Sequence, residues 1–274
     1  MNSAVRTTVP ARSAGHIVFR DVSKMYPGTG GQPATPALDT LNFEMAESEI
    51  VSILGPTGCG KSSTLNMIAG FEKPTQGEVL LDGMPVLAPG PQRAVVFQQA
   101  ALFPWLNVMD NVVLGARARN LDRGVYLERA RALLDEMGLA GFEGHYPYQL
   151  SGGMQQRVQI ARAMVAQPRM LLMDEPFGAL DYQTRIQMQE LLLRLWQEHR
   201  PTVFFITHDI AEAIFVSDRI LVISPRPGRI RLEVRVHTSK PRSREFLSSG
   251  EFISLQKQLL QAMQEQDAEE LEAT

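Results

Sequence analysis

The sequence predicts an α/β fold built on a parallel β-sheet with helices on both faces. Two observations carry this. The segments Ile50–Leu54, 170–173, 203–206 and 220–223 are nearly continuous apolar runs of strand length, the pattern of strands buried on both sides. Segments with helical spacing separate them, and alternation of strand and helix specifies a parallel sheet.

In chain order, residues 1–15 are Ser/Thr/Ala/Arg-rich without periodicity and read as a mobile tail. Ile17, Phe19 and Val22, then Leu41, Phe43 and Met45, read as strands that pair early in the chain. Between them 27–36 holds three glycines and three prolines, a loop by composition. Ile50–Leu54 ends at Gly55, and Lys61–Ala69 then has helical spacing, with Leu65 and Ile68 on one side and Gly70 placed to close it. Residues 78–81 followed by Asp82-Gly83 read as a strand entering a tight turn, and 95–97 as a further strand. From about 100 to 150 the pattern is helical. Leu127, Ala130, Leu133, Leu134 and Met137 follow three- and four-residue spacing, and Gly138 ends the run. Another helix is expected over 183–198. Ile230, Leu232, Val234 and Val236 alternate with other residues in a half-exposed strand, and 252–270 forms an amphipathic, then acidic, helix.

The 274 residues suit one large domain or two small ones. Lys and Arg number 27 against 30 Asp and Glu, a net charge of −3, which argues against bulk electrostatic binding to nucleic acid. One cysteine excludes an internal disulfide framework and a metal site built mainly from thiolates. No apolar run approaches the roughly 18–20 residues of a membrane helix, and residues 1–15 lack the apolar core of a secretory signal. The expectation is a soluble, intracellular, globular protein.

Chemistry enters at Gly55-Pro56-Thr57-Gly58-Cys59-Gly60-Lys61-Ser62, which fits G-x-x-x-x-G-K-[ST] between a strand and a helix and is followed by Ser63. Glycines let backbone N–H groups turn against phosphate oxygens, and the helix start adds positive dipole. Lys61 would neutralise charge between the β- and γ-phosphates, and Ser62 would place its hydroxyl on Mg²⁺. Cys59 reads as a small buried residue, with the alternative of a thiol activated by the helix start.

The run 170–173 leads into Asp174-Glu175. The first carboxylate suits Mg²⁺ coordination; the second is placed to orient, or take a proton from, attacking water. His208 follows the strand at 203–206 and lies at the carboxyl end of the sheet, where open α/β folds bind ligands. It could donate to the γ-phosphate, or it could serve as a helix cap or core histidine. The other four histidines have no such context.

With these residues in place the sequence resembles the ATPase subunit of ATP-binding cassette (ABC) transporters. The distinguishing segment is Leu150-Ser151-Gly152-Gly153-Met154-Gln155-Gln156-Arg157, similar to that family's signature motif, with Met154 where the family usually has Gln. Physically, Ser-Gly-Gly before a helix is a second anion-binding helix start. The resemblance implies further roles. Tyr26 would stack on adenine, Gln98, closing the strand at 95–97, would sense Mg²⁺ and the water, and Asp181 in Gly178-Ala179-Leu180-Asp181 would meet an opposing subunit. It also implies a P-loop NTPase core over 16–240, an antiparallel β portion near the N-terminus, and an inserted α-helical subdomain at about 99–165. The remaining 241–274 would be a helical extension. Two subunits would pair head to tail, the signature of one closing over ATP held by the other.

The segment from Gln98 to Val108, with its Pro104-Trp105 pair, resembles the nitrate/sulfonate/taurine importer ATPases, as do 174–181 and 225–230. Leu102, Phe103, Pro104 and Trp105 would then form a groove for a permease helix, or serve as core of the helical subdomain. The implied protein is a peripheral ATPase on the cytoplasmic face of the membrane. It would drive import of a small oxyanion, with a solute-binding protein as an indirect partner. The rival readings are an exporter or lipid-transport ATPase, and a cassette ATPase acting on nucleic acid or ribosomes without a permease.

Overall fold

The computed structural model describes residues 15–28, 30 and 33–272, the last eight by backbone alone. The tail read over 1–15 (Gly15 excepted) and positions 29, 31 and 32 of the expected loop lie outside the described residues.

Strand β1 (Ile17–Tyr26) pairs antiparallel with β2 (Thr35–Met45), setting Ile17 opposite Met45, Phe19 opposite Phe43 and Val22 opposite Leu41. These are the alternating apolar positions of the sequence, now on one face, where the Phe19 and Phe43 rings stack at 4.4 Å. The loop is shorter than its composition suggested. Thr35 and Pro36 belong to β2, opposite Tyr26 and Met25, because an edge position tolerates proline.

After β3 (Ile50–Leu54), helix α1 (Lys61–Ala69) closes at Gly70 in the left-handed conformation. There a Cβ would strike the Ala88 carbonyl. Strands β4 (Gln76–Leu81) and β5 (Met84–Pro85) turn at Asp82 and Gly83, both with positive φ. They complete a four-stranded antiparallel sheet in the order β2-β1-β4-β5.

β6 (Arg93–Val96) is followed by α2 (Val108–Ala118), α3 (Arg123–Glu136) and α4 (Gly152–Val165). β7 (Met170–Asp174), α5 (Tyr182–His199), β8 (Thr202–Ile206), α6 (Ile210–Val216) and β9 (Arg219–Ile223) then alternate. β10 (Ile230–Arg235) and α7 (Gly250–Glu272) end the described chain. The second sheet runs β10-β9-β3-β8-β7-β6, parallel throughout except for edge strand β10. The expected strand at 95–97 needs correction: β6 stops at Val96. The Phe97 carbonyl is taken by side chains of α4 instead of a strand neighbour.

Each buried strand divides its side chains by the two-residue period. Ile50 and Leu54 face the helices α2–α7, whereas Val51 and Ile53 face α1 and the antiparallel sheet. Fully burying such a side chain is worth about 1.5–3 kcal/mol, so two apolar layers hold the parallel sheet from both sides. Adjacent strands β3, β8 and β7 consequently bring three carboxyl ends to one edge: the glycine loop, Thr207-His208, and Asp174-Glu175. Among the described residues no helix is long and apolar enough to cross a membrane.

Candidate functional site

The glycine loop folds as its residue types require. Gly58 and Gly60 have φ of +83° and +101°, and a Cβ on Gly60 would come 2.4 Å from Leu38. A Cβ on Gly55 would meet the Ile223 carbonyl at 2.7 Å, so the loop lies flat on the end of β9. Lys61 is buried. Its Nζ donates to the carbonyls of Gly55 and Pro56, at 2.8 Å each, and so stands inside the loop. Tyr26, Thr57, Gly58, Gly60, Lys61, Ser62, Ser63, Glu175, Ala37 and Arg226 line one pocket of about 210 Å³.

Cys59 is buried, and burial pushes its thiol above the ordinary value against the opposing Lys61 charge. The side chain faces the apolar layer, which supports the reading of a small buried residue over that of an activated thiol.

Tyr26 is anchored at its hydroxyl, which donates to Glu72 Oε2 at 2.6 Å and shares a hydrogen bond with Ser63 Oγ at 2.9 Å. Lys24 stands over its ring at 4.9 Å and pairs with Glu72 at 3.0 Å. Burial, then the Glu72 carboxylate, raises the phenol. Burial alone would raise Glu72 as well, but hydrogen bonds from Tyr26, Asn66 and Lys24 outweigh it and hold the carboxyl below its usual range. The ring therefore stands at the pocket as a fixed plane.

Asp174 is partly buried, and burial followed by the neighbouring Glu175 charge raises its pKa, while a hydrogen bond with Ser62 and the Lys61 charge oppose this. Glu175 leaves β7 with φ of +43° and its N–H bonded to the Ile206 carbonyl at 3.0 Å, which turns the side chain toward β8. Its Oε2 lies 3.1 Å from His208 Nδ1 and 3.5 Å from Gln98 Nε2. Three positions separated by up to 110 residues thus meet on one oxygen. The His208 ring contacts a carboxylate, which departs from the helix-cap and core alternatives: Asp209, its neighbour, is the residue that caps α6.

The remaining expected residues lie elsewhere. Ser151 caps α4, taking the Met154 N–H at 3.3 Å, and with Gly152 it is exposed. Neither lines the Lys61 pocket, and Gly153 does not either. Asp181 caps α5, accepting from Thr184 N at 3.1 Å and Thr184 Oγ1 at 2.6 Å; the Thr184 hydroxyl, then its backbone, lower the Asp181 pKa. These two caps touch indirectly, because a Cβ on Gly153 would come 2.9 Å from Thr184 Cγ2.

Buried glutamines of α4 reach the segment that carries Gln98. Gln159 and Gln156 donate to the Phe97 carbonyl at 2.8 and 3.4 Å, and Gln159 accepts from Ala101 N at 2.7 Å. Further along, fully buried Asn111 accepts from Phe103 N and donates to the carbonyls of Phe103, Leu106 and Asn107 at 2.9–3.1 Å. The loop so held displays Phe103 and Trp105, the latter 70% exposed, with ring centroids 5.4 Å apart, whereas Leu102 packs on the core.

Three features of the site were not expected from sequence: Arg226, Glu72 and Ala37. Arg226 lies in the segment already noted for its resemblance, but no charge pattern marks it as a pocket residue.

In sequence and in fold the chain is similar to known proteins. A family profile described as ABC transporter matches residues 38–178. The chain is 48% identical over 244 residues to the taurine import ATP-binding protein TauB of Chromobacterium violaceum, covering 87% of this chain and 92% of that one. It is 44% identical to TauB of Escherichia coli O6:K15:H31 over 250 residues, covering 89% and 97%. Among solved structures, the dimeric bacterial ABC transporter cassette MJ0796 aligns with a TM-score of 0.71 at 35% identity, covering 81% of this chain and all of that one. A post-hydrolysis form of that cassette, bound to ADP and phosphate, aligns with a TM-score of 0.70 at 34% identity. A glycine loop, an acidic strand end and two capped helix starts on a fold shared with that cassette lead to one conclusion: this chain belongs to the ABC transporter family and is an ATP-binding ATPase of that family.

Proposed function

We propose that the chain is the ATPase subunit of a membrane importer for a small oxyanion such as taurine, an alkanesulfonate or nitrate. The observation that carries the catalytic part is the meeting of Glu175 Oε2 with His208 Nδ1 and Gln98 Nε2 beside the Lys61 loop. Identity to taurine import proteins over most of the chain supports the transport part.

Backbone N–H groups of the loop and the Lys61 ammonium bind the phosphates, and Tyr26 supports the base. The Ser62 hydroxyl beside the Asp174 carboxylate is a hard-oxygen donor set of the kind Mg²⁺ takes, and burial next to Glu175 leaves that carboxylate in want of a cation. Ser62 and Asp174, with Gln98, would hold the ion, which when bound neutralises phosphate charge. Glu175 accepts a hydrogen bond from the attacking water and takes its proton. His208 fixes the carboxylate's orientation and donates toward the γ-phosphate.

We assign 16–240 to the ATPase domain, about 99–165 to a helical subdomain and 241–274 to an extension. Ser151, Gly152 and Gly153 serve the ATP of a second copy in a head-to-tail dimer, which Asp181 also meets. The exposure of Ser151, Gly152 and Asp181 away from the Lys61 pocket supports this. The display of Phe103 and Trp105 supports a permease docked near Leu102–Trp105, through which a solute-binding protein acts indirectly. The subunit then lies peripherally at the cytoplasmic face of the membrane.

Replacing Glu175 with Gln tests the reading. ATP binding should persist while turnover falls by about 10²–10⁴-fold, the usual worth of a positioned base. Full turnover in that variant would overturn the assignment.

A further inference from the structure

The Lys61 pocket contains a second cation that the mechanism above does not use. Arg226 stands on the connection between β9 and β10, in Pro225-Arg226-Pro227-Gly228-Arg229. This connection is held on two sides. Gly228 N–H donates to the Ala37 carbonyl at 2.9 Å, and the Gly228 carbonyl accepts from Asp39 N at 3.0 Å, tying it to β2. On the other side it fits under the glycine loop so closely that a Cβ on Gly228 would come 2.1 Å from the Cys59 carbonyl oxygen.

From this base the Arg226 guanidinium reaches the loop itself. Nε and Nη2 donate to the Gly58 carbonyl at 3.1 and 3.0 Å. A guanidinium has five N–H groups, so three remain. No carboxylate pairs with Arg226 among the described residues, whereas Arg229, three positions on, is paired with Asp39. Arg226 is thus an exposed cation whose side chain is already fixed, facing a pocket that also holds Lys61. A long cationic side chain on a surface is ordinarily mobile or paired. One immobilised by a neutral carbonyl, with its remaining donors unpaired, is pre-organised for an anion.

Gly58 strengthens the argument. Its φ of +83° turns the peptide so that its carbonyl points at Arg226.

We propose that Arg226 is a nucleotide-binding residue that gives its free N–H groups to the phosphate chain of ATP. This rests on the ATPase reading above.

The test compares wild type, Arg226→Ala, Arg226→Lys and Lys61→Ala by competition against a fluorescent ATP analogue, with ATP, ADP and adenosine as competitors at two salt concentrations. Arg226→Ala should weaken ATP and ADP by about tenfold, the worth of charge-assisted hydrogen bonds. It should leave adenosine unchanged and flatten the salt dependence. Arg226→Lys, which keeps the charge, should recover part of the loss. Unchanged ATP affinity in Arg226→Ala would overturn the proposal. An equal loss for ATP and adenosine would do so too, because it would mean that Arg226 only supports the loop. If Arg226→Ala does not fold, Arg226→Lys decides: ATP and ADP weakened no more than adenosine would overturn the proposal. A wild-type protein that binds no ATP would instead overturn the ATPase reading, whatever Arg226 does.

Discussion

Gln159, buried in α4, donates to the backbone carbonyl of Phe97 across 2.8 Å, and so joins the helix that begins at Ser151 to the segment that carries Gln98. The same side chain accepts from Ala101 N at 2.7 Å, so both of its polar atoms are used within five residues of backbone. A movement of α4 is therefore a movement of Gln98, and Gln98 lies 3.5 Å from Glu175.

Replacing Gln159 with Leu should leave the Ala101 N–H unpaired and the Phe97 carbonyl with only the longer bond from Gln156. Unsatisfied buried groups cost about 1–3 kcal/mol, so the unfolding free energy should drop by about 2 kcal/mol in urea titration. ATP affinity should hold, because Lys61 and its loop are untouched, while turnover falls several-fold. Unchanged turnover would reduce these bonds to a stabilising role.

Stability should also depend on pH through Glu212, in the first turn of α6. Burial raises this carboxyl from its ordinary value of 4.5 to about 7, against hydrogen bonds from Thr207 and Gln189. The folded state therefore keeps a proton that the unfolded chain releases above 4.5. The contribution is full below pH 4.5 and is lost as pH rises to about 7. The shift is worth about 3 kcal/mol. Glu212→Gln, which keeps the shape and a donor, should unfold at higher urea than wild type at pH 8 and at the same urea at pH 4.5. Parallel curves across this range would refute the burial argument.

Trp105→Ala removes a side chain that is 70% exposed, so its effect on unfolding should stay within about 0.5 kcal/mol. Turnover of the isolated subunit should match wild type. Co-purification with a permease and ATP-driven uptake in vesicles should both be lost. Normal uptake would mean that the docking surface lies elsewhere.

Much of this was legible because it is local or periodic. Ile17, Phe19, Val22 and their partners Leu41, Phe43 and Met45 alternate, and alternation fixes a face and hence a register. The glycine loop and Ser151-Gly152-Gly153 are short segments whose chemistry depends on adjacent residues. The end of β6 was not legible, because it is set by Gln156 and Gln159 from 59 and 62 positions away. Arg226 was missed for the same reason: its partner, Gly58, lies 168 residues earlier, and nothing in Pro-Arg-Pro-Gly records that contact. Glu72 looks like an ordinary loop carboxylate until folding brings Tyr26 and Lys24 onto it.

Asn111 has a thermodynamic consequence for any partner that meets Phe103 and Trp105. Its four hydrogen bonds set the backbone of that loop within the subunit, before any contact is made. Association then freezes a few rotamers instead of folding a segment, and little affinity is spent on ordering. The heat-capacity change should track the apolar area covered, without the larger signature of coupled folding. A loosened loop, as in Asn111→Ala, should dock through the same aromatic pair but with slower association and a steeper entropic penalty.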